Sequence, residues 1–143
     1  MADEETMRNA VLGHAEAGVA LLAPVLTAAG FTNAEVRVTH GSGGHAAVAV
    51  WHRSDGLGLE THVRESLGIV RYLWGGKSLD HKDYLRLRGV RGAYPGFSEN
   101  PEEAFRHLLT DLTGSAADLL TMSGTEFQSV VELVGQLPKH RLP

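Results

Sequence analysis

Apolar residues recur at every third or fourth position from about Glu5 to Ala29. Met7, Val11, Ala15, Val19, Leu22, Leu26 and Ala29 form one stripe of a helix. Pro24 lies inside the stripe, where its missing N–H and its ring crowd the preceding turn, so a kink or break is expected there. Gly30 is placed to end the helix in a left-handed conformation. The period then changes to two. Val36 and Val38 alternate with Glu35 and Arg37; Val48 and Val50 alternate with Ala47, Ala49 and Trp51; Leu57, Leu59, Thr61 and Val63 alternate with Gly58, Glu60, His62 and Arg64; Leu67–Trp74 follows. These runs predict four strands.

The turns between them set a register. With Asp55-Gly56 as a two-residue hairpin loop, Val50 faces Thr61 and Val48 faces Val63. With Glu65-Ser66 as another, Leu59 faces Tyr72, Thr61 faces Val70 and Leu57 faces Trp74, while Glu60 meets Arg71 and His62 meets Ile69 on the other face. Placing Val36 and Val38 on the apolar face requires an odd first loop, met by Gly41-Ser-Gly43.

The period returns to helical after Trp74. Ser78 is read as the cap of a helix from Leu79 to Arg88, ended by Gly89. Residues 89–100 form a loop carrying Tyr94 and Phe97. Asn100-Pro-Glu-Glu103 is a helix start, and Ala104, Phe105, Leu108, Leu109, Leu112, Leu119 and Leu120 give its stripe, with a bend at Gly114-Ser115. Ser123-Gly-Thr-Glu126 opens a last helix through Phe127, Val130, Val131 and Val134. The expected fold is α+β over residues 1–143 as a single domain: an N-terminal helix, a four-stranded antiparallel meander, then three helices, with the helices packed on one face of the sheet.

Composition narrows the function. The 143 residues are 43% hydrophobic and 21% charged, with net charge −4 and no cysteine. That excludes thiol nucleophiles and cysteine-ligated metal centres and argues against a nucleic-acid binder, which carries a basic surplus. The acidic opening Met1-Ala-Asp-Glu-Glu does not read as a secretory signal, and no apolar run is read as a membrane span, so a cytoplasmic location is expected.

Eight histidines are the main candidates for chemistry: His14, His40, His45, His52, His62, His81, His107 and His140. His40 and His45 flank the first hairpin loop, but no HxxxH or HExxH spacing and no neighbouring carboxylate completes a ligand set, so no metal or cofactor is expected. Gly41-Ser-Gly-Gly44 joins two strands instead of opening a helix, which makes it a hairpin loop and not a phosphate cradle. Asp80, His81 and Asp83 read as acidic residues in a helix's first turn, and no GxSxG elbow exists.

The polar face of the sheet is the expected recognition surface. Trp51, Glu60, His62, Arg64 and Arg71 are assigned to it as partner-binding residues, with Tyr94 and Phe97 of the following loop as its rim or as a plug onto the core. The segments Leu59–Gly75, Ser78–Tyr84, Tyr94–Ser98 and Pro101–Leu112 resemble small uncharacterised actinobacterial α+β proteins over roughly residues 57–127. Such proteins are similar in size and layout to immunity proteins of bacterial toxin systems. The resemblance implies a non-enzymatic protein-binding module whose partner is another protein, a toxin in that case; it carries over no functional residue. Two alternatives remain: a small enzyme or ligand-binding domain using a His/Asp cluster near His62 or His81, and a homodimer built through the sheet edge.

Overall fold

The structure, a computed structural model, describes residues 3–41, 44–96 and 100–138. The first stripe closes as α1, Asp3–Ala28, which continues through Pro24 without ending there. Val11, Ala15, Leu22 and Leu26 are buried, while Met7 at the head of the stripe stays exposed. Gly18 lies on the same side, and a Cβ there would overlap the Phe105 ring, so the bare backbone lets α1 approach the later helix that carries Phe105. By length and composition α1 could cross a membrane: an 18-residue window within Glu4–Ala28 has mean hydropathy 1.5. That corrects the expectation that no such run exists; in this fold its stripe faces the core.

An antiparallel sheet follows: β1 (Phe31–Gly41), β2 (Gly44–Arg53), β3 (Gly58–Val63), β4 (Leu67–Trp74) and β5 (Lys77–Asp80), in that spatial order. Among the described residues the expected four strands become five. The added strand is the segment read as a helix start. Gly75 and Gly76 have φ of 58° and 81°, the pair of positive values that closes a tight two-residue hairpin. Leu79 then pairs with Tyr72. The cap is Asp80, not Ser78, and its carboxylate accepts the Lys82 N–H at 2.9 Å.

Register is where the structure departs most from expectation. β3 and β4 pair as predicted, through Leu59–Tyr72, Glu60–Arg71, Thr61–Val70 and His62–Ile69. The hairpin before them does not. Arg53 N–H donates to the Leu57 carbonyl at 2.8 Å and Gly56 N–H to the Arg53 carbonyl at 2.9 Å. Ser54-Asp55-Gly56 is therefore a three-residue loop, with Gly56 at φ 103°. One extra loop residue turns over every side chain of β2. Ala47, Ala49 and Trp51 face the core opposite Val63, Thr61 and Leu59, and Val48 and Val50 point the other way. The first loop changes parity too, because Gly41 pairs with Gly44; Ser42 and Gly43 lie outside the described residues. The two changes cancel, so Val36 and Val38 stay on the core side, opposite Ala49 and Ala47. At the third turn Val63 pairs with Leu67, and a register shift beyond it restores the His62–Ile69 pair.

Three further α-helices follow among the described residues. α2 (His81–Arg88) ends at Gly89, φ 66°. α3 (Pro101–Leu112) is capped by Asn100, which accepts from the Glu102 and Glu103 N–H groups. It stops at Leu112, and Leu119 and Leu120 belong to a separate 3-10 turn, Ala117–Leu120. α4 (Gly124–Gly135) opens with the expected Ser123/Glu126 capping box. One core cluster joins Leu22 and Leu26 of α1, Trp51, Leu59 and Tyr72 of the sheet, Phe105 and Leu108 of α3, and Phe127 of α4. Arg53 ties the second hairpin to the C-terminal segment. It makes two bonds to Asp55, at 2.7 and 2.6 Å, and donates to the Leu120 and Met122 carbonyls at 2.8 and 2.6 Å.

The register predicts unequal costs for two neighbouring truncations. Trp51→Ala removes a fully buried indole and is expected to cost about 3–5 kcal/mol in denaturant unfolding. Val50→Ala, on the opposite face and half-buried, is expected to cost about 1 kcal/mol or less. The reverse order would contradict the three-residue loop.

Candidate functional site

The sheet face turned away from the core cluster carries an ordered charge pattern. One cross-strand row reads Glu35, Val50, Glu60, Arg71, Asp80, and the neighbouring row reads Arg37, Val48, His62, Ile69. At the centre, the Glu60 carboxylate accepts from Arg71 Nε at 2.6 Å and from His62 Nε2 at 2.8 Å. Partial burial works against the Glu60 charge, but these two hydrogen bonds outweigh it and hold its pKa below the ordinary value. Val50 and Leu73 flank the cluster half-buried, and Ile69 is exposed. Arg64, in the turn after β3, is exposed and lines a depression of about 350 Å³ with Ala46, His62 and Ile69. The arrangement offers a fixed acceptor–donor pair set among aliphatic contacts.

The structure brings Glu60, His62 and Arg71 together as expected, with Arg64 alongside. Trp51 is corrected: it lies opposite Leu59 in the core with no exposed surface, because the longer loop inverts β2. Tyr94 takes the second of its two expected positions. It plugs the core, 3% exposed, and its hydroxyl donates to the Leu67 carbonyl at 3.1 Å. Burial pushes its phenol up to about 12. Phe97 lies outside the described residues.

His81 is sealed in a second polar array. Its Nε2–H donates to Asp111 Oδ2 at 2.9 Å, and its Nδ1 accepts from the Tyr72 hydroxyl at 2.6 Å. The same carboxylate accepts the N–H groups of Ala93 and Tyr94. Neither flanking carboxylate, Asp80 nor Asp83, is the partner. The signal for Asp111 is one acidic residue on the α3 face shared with Leu108 and Leu112. Tyr72, His81 and Asp111 are all buried. Desolvation opposes the Asp111 charge, yet the His81 and backbone hydrogen bonds win and lower its pKa. Burial raises the Tyr72 phenol well above its ordinary value, which keeps it a hydrogen-bond donor.

A third cluster lies at the hairpin end of β1 and β2, where the donor atoms of Glu4, His40 and His45 fall within 4.8 Å of one another. Its carboxylate comes from α1, too distant in sequence for spacing rules to find. No family model, curated protein or solved structure matches the chain.

Asp111→Ala strands a buried imidazole donor and two backbone N–H groups, and is expected to cost about 3–5 kcal/mol in urea unfolding at neutral pH. Asp111 has a lower pKa folded than unfolded, so its contribution is full above the unfolded value and is lost as pH falls through the folded one. The stability gap between wild type and Asp111→Ala should therefore narrow below about pH 4. A constant gap would contradict the assignment.

Proposed function

We propose that the protein is a non-enzymatic protein-binding module that takes its partner on the polar face of the sheet, with the helices packed on the opposite side as its support. The observation that carries this reading is the Glu60–Arg71–His62 cluster. Its two hydrogen bonds hold the three side chains in place before a partner arrives, so binding orders few side chains anew. Ile69, 39% exposed, and half-buried Val50 and Leu73 supply apolar contact around it, the mixture of anchors typical of a protein interface.

The form of such a module that best suits the chain is an immunity-type inhibitor that covers a basic bacterial toxin. The net charge of −4 favours capture of an electropositive partner. The enzymatic alternative is disfavoured because its best-formed His–Asp pair, His81–Asp111, is sealed in the core at 0% and 2% exposure. A general base must reach its substrate.

The test is comparative capture from lysate with the tagged chain and three surface variants, each checked for native circular dichroism. Arg64→Ala and Ile69→Ala are each expected to reduce recovery of the stoichiometric partner by about ten-fold or more. Lys82→Glu, exposed on α2, should leave recovery unchanged. Recovery that survives both sheet-face changes would overturn the assignment of this surface.

A further inference from the structure

We propose that Glu4, His40 and His45 form a binding site for a divalent transition-metal ion of the zinc class. His40 and His45 stand directly opposite each other across the β1–β2 ladder. Opposite residues in an antiparallel pair have Cβ atoms about 4.5–5.5 Å apart, close enough for two imidazoles to reach one ion without backbone movement. Their ring centroids are 4.5 Å apart and tilted by 55°.

The third donor arrives from another element. α1 packs along β1 and β2, and its first turn sets Glu4 Oε2 at 3.9 Å from His40 Nε2. That separation is too long for a hydrogen bond. Around a tetrahedral zinc ion, with bonds of about 2.0–2.2 Å, adjacent donors sit about 3.4 Å apart. Small side-chain rotations close the difference, because His40 and Glu4 are 58% and 76% exposed. Two neutral imidazoles and one carboxylate match zinc, with nickel and copper as competitors of similar donor preference.

Three protein donors leave a coordination position for water or a small anionic ligand. His45 also lines a cavity of about 340 Å³ with Met7, Val11, His14 and Arg64, so the ion would lie at its rim. Once bound, it would tie the first turn of α1 to the tip of the first hairpin. This site is separate from the Glu60–His62–Arg71 cluster and does not depend on the partner-binding reading.

Isothermal titration of the tag-free full chain with zinc chloride tests the proposal, with cobalt absorption as a second readout of coordination. Wild type should bind one equivalent and give visible cobalt bands characteristic of tetrahedral geometry. His40→Ala and His45→Ala should each weaken zinc at least ten-fold, the double variant should bind none at that site, and Glu4→Gln should also weaken it at least ten-fold. His52→Ala, on an exposed histidine elsewhere in the sheet, should match wild type. No saturable binding to wild type at 100 μM zinc would overturn the proposal, as would a double variant that binds like wild type or a Glu4→Gln change that leaves affinity unaltered.

Discussion

The Asp111 carboxylate is the point on which the C-terminal half of the fold converges. It sits on α3, yet its bonds reach the start of α2 through His81 and the loop before α3 through the Ala93 and Tyr94 N–H groups. His81 carries the connection on to Tyr72 in β4. One buried charge thus sets the relation of sheet, helix and loop. A buried carboxylate is tolerable only when its acceptor sites are filled. Here three N–H donors fill them, and His81 passes its remaining ring nitrogen to a tyrosine that stays protonated. Removing any one member leaves another with an unsatisfied polar atom, so the array enforces its geometry as a unit.

That convergence explains how the chain divides its polar groups. The histidine with a carboxylate and a phenol aligned on it is closed to solvent. Arg53 plays a related part at the other end, holding its hairpin loop against the Leu120 and Met122 carbonyls. The polar groups left accessible are of a different kind: a paired charge cluster on the sheet face, and an imidazole pair at the hairpin tip. Neither holds the core together, so both are free to serve binding.

Local chemistry made much of the fold legible in the sequence. The starts of α3 and α4 follow from capping residues, Asn100 and the Ser123/Glu126 box, because a cap is decided within four residues. The β3–β4 register followed from matching apolar and charged pairs across one ladder. Loop parity did not. Asp55-Gly56 reads equally as a two-residue loop or as the end of a three-residue one, and the choice inverts β2. The alternation in that strand could not arbitrate, since Val48, Val50, Ala47, Ala49 and Trp51 are apolar on both faces. For the same reason the pattern alone places Trp51 on the wrong side of the sheet. Asp111 and Glu4 were missed because their partners lie 30 and 36 positions away, a proximity that only the packed helices create.

The separation between a sealed histidine and accessible ones is the claim most open to direct test. Histidine acylation by diethylpyrocarbonate, read residue by residue by mass spectrometry on the native protein, measures it. His40, His45 and His62 are expected to be modified while His81 is protected until the chain unfolds, with Asp111→Ala releasing that protection. Modification of His81 in the native wild type at the rate of the surface histidines would contradict it.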